Sequence, residues 1–163
     1  MTNNSGKHDG RTDFDFLIGV WNVQHRRLKE RLKGCTEWEE FGGTGTVRHI
    51  LGGLGNMDEF TMDRKSGRVQ AVTVRLYNPA NDEWSIYWAT DRHPGRMDVP
   101  MVGRFKGSRG EFFSQELFEG RHIFSRFIWT SNGPEACHWE QAFSQDGGKN
   151  WETNWTMTFT RQR

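Results

Sequence analysis

From Gly19 onward, apolar and polar side chains alternate in short runs, and the last run shows the pattern best. There Trp151, Thr153, Trp155, Met157, Phe159 and Arg161 fall on one face, and Glu152, Asn154, Thr156, Thr158 and Thr160 on the other. A period of two sends successive side chains to opposite sides of a strand. The pattern therefore predicts a β-strand with an interior face and a solvated threonine face. Similar alternation sets Trp84, Ile86 and Trp88 against Glu83, Ser85, Tyr87 and Ala89. It sets Trp139, Gln141 and Phe143 against His138, Glu140 and Ala142, and it groups Gly19, Trp21, Val23 and His25. Strands are predicted at 19–29, 36–50, 56–63, 68–77, 83–90, 100–106, 111–118, 121–130, 136–144 and 150–161. Between them lie Lys65-Ser66-Gly67, Asn78-Pro79-Ala80-Asn81-Asp82, Glu119-Gly120, Asp146-Gly147-Gly148 and similar clusters, which supply the dihedrals hairpins need. About ten strands with hairpin-length links form an antiparallel meander, and closing it removes the open edges. The expected fold is all-β, an up-and-down closed barrel.

Two runs do not declare a face. Val72, Val74 and Leu76 read as interior, leaving Thr73, Arg75 and Tyr77 outside; a one-residue bulge reverses this. In 121–130 neither face is clearly apolar, so Arg126 as well as Arg75 is a candidate to line a cavity. Before the first strand, residues 1–12 are polar and read as a disordered tail, with a single domain over 13–163. Asp13 is placed to cap a short helical turn carrying Phe14, Phe16, Leu17 and Ile18.

Composition sharpens the interior. The chain of 163 residues carries eight Trp and twelve Phe, so large rings fill the core. The net charge of +1 does not point to nucleic acid or to acidic membranes as partners. The basic run from His25 to Lys33 reads as a solvated strand end, or as the interface of a homodimer. Cys35 and Cys137 make no disulfide framework, no export signal or membrane-spanning run is visible, and a cytoplasmic location is the expectation.

Phe16-Leu17-Ile18-Gly19-Val20-Trp21 places Gly-x-Trp at the start of the first strand, and Arg161 ends the last one. This pairing resembles the calycin barrels, namely lipocalins, fatty-acid-binding proteins and the nitrobindin-like group. The resemblance implies that Gly19 and Trp21 plug the closed end and that Arg161 packs over Trp21. "DFDFLIGVWNVQHRRLKERL", "ILGGLGNMDEF", "RLYNPANDEWSIYW" and "FSQDGGKNWETNW" are closer to a family of bacterial lipocalin-like proteins of unknown function. The second lipocalin motif, Thr-Asp-x-Tyr, is missing. Ser144, Asp146, Gly148 and Trp151 resemble the Asp-box of sialidase-type propellers, which implies a structural hairpin turn remote from chemistry. That hairpin is expected to carry Trp155 and Arg161 toward Trp21.

The candidate chemistry follows from these faces. No His-x-His, His-Glu-x-x-His or Walker pattern is present, so no metal or nucleotide site is expected. Haem, which the nitrobindin resemblance brings in, would need one interior histidine among His25, His49 and His138. Asp58 and Glu59 are adjacent, so one points in. His25 and Glu59 are the acid–base candidates, should the barrel host a cyclase, isomerase or decarboxylase. The first expectation is binding of a small, mostly apolar, aromatic or anionic molecule. Trp38, Trp88, Trp129 and Trp139 would form walls, with Arg75, Arg126 and Gln141 as polar anchors.

Overall fold

The computed structural model describes residues 8–163. The ten strands are β1 (Gly19–Leu28), β2 (Trp38–Ile50), β3 (Gly55–Arg64), β4 (Gly67–Asn78), β5 (Glu83–Thr90), β6 (Met101–Lys106), β7 (Arg109–Phe118), β8 (Arg121–Ser131), β9 (Ala136–Ser144) and β10 (Glu152–Arg161). Each pairs antiparallel with the next, and β1 pairs with β10 to close the barrel. Closure leaves no free edge strand. Among the described residues, no helix is long and apolar enough to cross a membrane.

One end of the barrel is sealed by its own N-terminal segment. Two short 3-10 turns, Gly10–Thr12 and Asp15–Leu17, lead into β1. Leu17 and Trp21 are fully buried, and the Trp21 indole N–H donates to Leu17 O at 2.8 Å. Arg161 caps this seal: its guanidinium lies 4.2 Å above the Trp21 ring and donates to the carbonyls of Phe16, Ile18 and Pro134. Gly19 has φ of 131°, and a Cβ there would overlap the Arg161 guanidinium. The Gly-x-Trp spacing is thus set by one arginine needing the space above the indole.

Residues 10–12, expected within a disordered tail, form a 3-10 turn packed on the barrel. Gly10 is buried, donates to the Tyr77 hydroxyl at 2.9 Å and accepts from Trp84 Nε1 at 3.1 Å. Asp13 does not cap the turn Asp15–Leu17, which has no side-chain cap; Asp9 caps the preceding turn, accepting from Arg11 N. The tail expectation for residues 1–7 lies outside the described residues.

Two facing assignments need correction. In β4 the inward side chains are Val69, Ala71, Thr73, Arg75 and Tyr77, while Val72, Val74 and Leu76 face outward. Valine favours strands for its branched shape, so a valine run does not by itself mark the interior. In β10 a bulge between Thr153 and Trp155 shifts the register. Asn154 therefore turns inward beside Trp155, and Trp151 goes to the outer wall, where Arg126 stacks on it at 4.4 Å.

Candidate functional site

The inner space divides into a sealed half and an open half. In the sealed half Phe14 packs edge-on against Trp84, Phe105 and Trp129, with centroids 4.7 to 5.9 Å apart. Arg75 is 3% exposed, and its Nη2 lies 2.7 Å from Asp58 Oδ2. Asn56 Oδ1 accepts from Arg75 Nη1 at 2.9 Å, and Thr73 N donates to Asp58 at 3.2 Å. The guanidinium also faces the rings of Phe14 and Trp129 at 5.5 and 5.4 Å. Burial pushes the Asp58 carboxyl up, while Arg75 pulls it back toward ionisation. The charge in this half is neutralised within the protein.

The open half is lined from β1, β2, β3, β5, β8, β9 and β10. His25 is 1% exposed and stacks on Phe41 at 4.6 Å. The Trp155 indole N–H donates to His25 Nδ1 at 3.2 Å. An indole can only donate, so Nδ1 is the acceptor and Nε2 carries the proton of the neutral ring. Among the described residues, no hydrogen-bond partner meets Nε2. Gly43 faces it: a Cβ there would overlap the Thr61 carbonyl and crowd Nε2 at 3.2 Å, so only glycine fits beside the ring. Burial, aided by the Arg64 charge, holds the His25 pKa down at about 3, so the ring is neutral at physiological pH.

Toward the rim, Arg27 Cζ sits 5.2 Å over the Trp155 ring and Arg64 Cζ 5.4 Å over Phe41. Arg31 lies over Phe118 at 4.8 Å and Phe143 at 5.5 Å. Arg64 is paired with Glu39 at 2.6 Å. Burial, with Arg31 and Arg64 close by, brings Arg27 down to about 10. On the opposite wall Gln141 Nε2 donates to Asn154 Oδ1 at 2.8 Å, and Asn154 Nδ2 has no partner among the described residues. Trp139 and Trp88 pack edge-on to Trp155 at 5.6 and 6.0 Å. Trp88, Phe127 and Met157 point inward yet keep accessible surface, so the interior is not sealed here.

The residues singled out from sequence thus separate. Trp88, Trp139, Gln141 and His25 meet in the open half, whereas Arg75 and Trp129 belong to the sealed half. Glu59, Trp38 and Arg126 lie on the outer wall, which corrects their expected place in a cavity: Glu59 is exposed, and Trp38 is covered by Arg26 at 4.4 Å. Sequence reasoning missed Arg27, Arg31, Arg64 and Asn154. Arg27 was within reach, since it shares the face of His25 by simple alternation. Asn154 was not, because only the bulge turns it inward.

Two hollows lie outside the barrel. One of about 850 Å³ runs over the outer wall of β2 to β5 past Thr44, Thr46, Glu59 and Gln70. Another of about 280 Å³ lies beside the rim, between Leu32, Phe143, Trp151 and Glu152. Among the described residues, no cluster of three or more His, Cys, Asp or Glu could hold a metal ion. His49 is exposed beside Asp15, and His138 lies on the outer wall near Glu140. His25 does not suit an axial haem ligand. Metal binding at Nε2 would force the proton onto Nδ1, against the donating indole of Trp155.

The Ser144 to Trp151 turn is a closed unit of its own. Ser144 Oγ donates to Asp146 Oδ1 at 2.8 Å and accepts from Gly148 N at 2.9 Å. Asp146 accepts from both the backbone and the side chain of Asn150, at 2.8 and 2.7 Å. These bonds hold its carboxyl down at about 2. Trp155 then emerges opposite Arg27 rather than near Trp21, and only Arg161 reaches Trp21.

No protein-family model matches the chain, and no curated protein is significantly similar to it. Solved structures do share its barrel. The crystal structure of Rv2717c from M. tuberculosis superposes with a TM-score of 0.65 at 12% identity, over 97% of this chain and all of that one. An S-type phycobiliprotein lyase, CPES from Guillardia theta, gives a TM-score of 0.64 at 9% identity, over 96% of this chain and 94% of the other. At such identities the likeness concerns the fold.

Proposed function

We propose that the open half of the barrel binds a small, mostly apolar molecule without transforming it. The observation that carries this is the unsealed interior, where Trp88, Phe127 and Met157 point inward yet keep accessible surface. Around it, among the described residues, His25 Nε2, Asn154 Nδ2 and Arg27 Nε have no hydrogen-bond partner, as Arg75 Nε, Trp129 Nε1 and Asp58 Oδ2 have none in the filled half. A buried polar atom without a partner costs about 1–3 kcal/mol, and a bound ligand would recover it. The sealed half is filled by rings, so the site is confined to the region between His25 and the rim. A phycobiliprotein lyase built on the same barrel is in keeping with small-molecule handling.

An acid–base enzyme is less well supported. His25 is a neutral ring with its lone pair already engaged by Trp155, and Glu59 faces away. Both act poorly as a base toward a ligand in the barrel.

Titration with the neutral fluorophore N-phenylnaphthylamine tests the proposal. Saturable enhancement at one site per chain is expected, weakened by Trp88→Ala and unchanged by Glu59→Gln. Enhancement that never saturates, or that Glu59→Gln abolishes, would contradict it.

A further inference from the structure

Almost every unpartnered buried atom around the open half is a donor. His25 Nε2 carries a proton because Trp155 donates to Nδ1. Asn154 offers only its NH2 group, since its oxygen accepts from Gln141. Arg27 and Arg64 each present a buried Nε–H. Arginine and a ring N–H have nothing to accept with. A ligand that itself donates would leave these groups unsatisfied.

The rim adds charge to the donors. Among the described residues, the side chains of Arg27 and Arg31 have only aromatic faces as close partners, and no carboxylate lies within ion-pair distance of either. The acids nearby are engaged elsewhere. Glu39 holds Arg64, Glu116 accepts from Ser125 at 2.7 Å, Glu152 accepts from Leu32 N at 2.8 Å, and Glu119 faces Lys33. Lying over rings, the two guanidiniums keep Nη N–H groups free of protein acceptors among the described residues, and a guanidinium can take a carboxylate in two parallel bonds.

We propose that the ligand of the open half is a planar aromatic carboxylate, its acid group held at the rim by Arg27 and Arg31 and its ring lying against Trp155 toward His25 Nε2–H. This rests on the binding role proposed above and gives that site its ligand class. The orientation follows from the residues. The free cations stand at the rim, the flat walls lie below them, and a single neutral donor waits further in, suited to a carbonyl or ether oxygen on the far edge of the ring.

Calorimetric titration of the whole protein with naphthoate, methyl naphthoate and naphthylmethylammonium tests the class. Naphthoate should bind at one site, at least about tenfold more tightly than the ester or the ammonium. Arg27→Met and Arg31→Met should each remove about tenfold of naphthoate affinity and leave ester binding unchanged. Arg26→Met, which alters an equally stacked arginine on the outer wall, should change nothing. Equal binding of ester or ammonium in the unaltered protein would overturn the carboxylate while leaving the binding site in place, and that comparison needs no variant to fold. A loss with Arg26→Met as large as with Arg27→Met would mark surface attraction and overturn it too. Failure of all three probes to bind, with N-phenylnaphthylamine still binding, would refute the carboxylate alone. If that fluorophore also failed, the binding role would fall with it.

Discussion

The two halves of the barrel both turn arginine inward, Arg75 fully buried and Arg27 half-buried at the rim, and they treat it in opposite ways. Arg75 in the sealed half meets Asp58 at 2.7 Å and is capped by Asn56. Arg27 in the open half is stacked on Trp155 and hydrogen-bonds to nothing among the described residues. A fold that needed only stability would pair both or replace both, because a buried charge is costly unless its partner is supplied. The difference separates a half that holds the barrel together from a half held ready for something the chain does not contain. Natural sites commonly retain such locally unfavourable groups where function uses them.

Breaking the sealed half should have the largest effect. Arg75→Met strands the Asp58 carboxylate and should cost about 3–5 kcal/mol in chemical denaturation. Pairing it with Asp58→Leu should recover much of that loss, since a fully apolar pair leaves no buried charge. Next comes the seal itself: Arg161→Ala frees three carbonyls and uncovers Trp21, and should cost about 2–3 kcal/mol.

The open half gives a subtler signature in acid. The folded pKa of His25, about 3, lies below its ordinary value of 6.5. Below 6.5 the unfolded chain binds a proton that the folded chain refuses, so stability falls as pH falls through this window toward 3. The slope approaches about 1.4 kcal/mol per pH unit, or about 2 kcal/mol between about pH 6.5 and about pH 5. His25→Gln should flatten that part of the profile; an unchanged slope would show that His25 is not the group responsible. The smallest effect is expected at the last hairpin. Asp146→Ala should lower the melting temperature modestly and leave naphthoate affinity intact, whereas lost affinity at unchanged stability would make the turn part of the site.

Much of this was legible in the sequence, and the exceptions share a cause. The strand ends were readable to within two residues because each boundary carries its own turn chemistry, as at Asp146-Gly147-Gly148. The seal was readable because Gly19, Trp21 and Arg161 sit at fixed places in a meander. The orientation of β4 was not, because three outward residues are as apolar as a core strand while Thr73, Arg75 and Tyr77 fill the inside. The inward turn of Asn154 depends on one bulged residue, which alternation cannot reveal. The site was hardest to see because it rests on arginines that lack a carboxylate partner, and a sequence shows residues but not what they fail to touch.

The division of labour between the halves is tested most directly by the unfolding free energy of Arg27→Met beside that of Arg75→Met. Removing an unpaired, half-buried cation should leave stability unchanged or raise it by about 1 kcal/mol, while Arg75→Met loses several. If Arg27→Met instead destabilised the barrel as severely as Arg75→Met, both arginines would serve the fold, and the open half would not be held for a ligand.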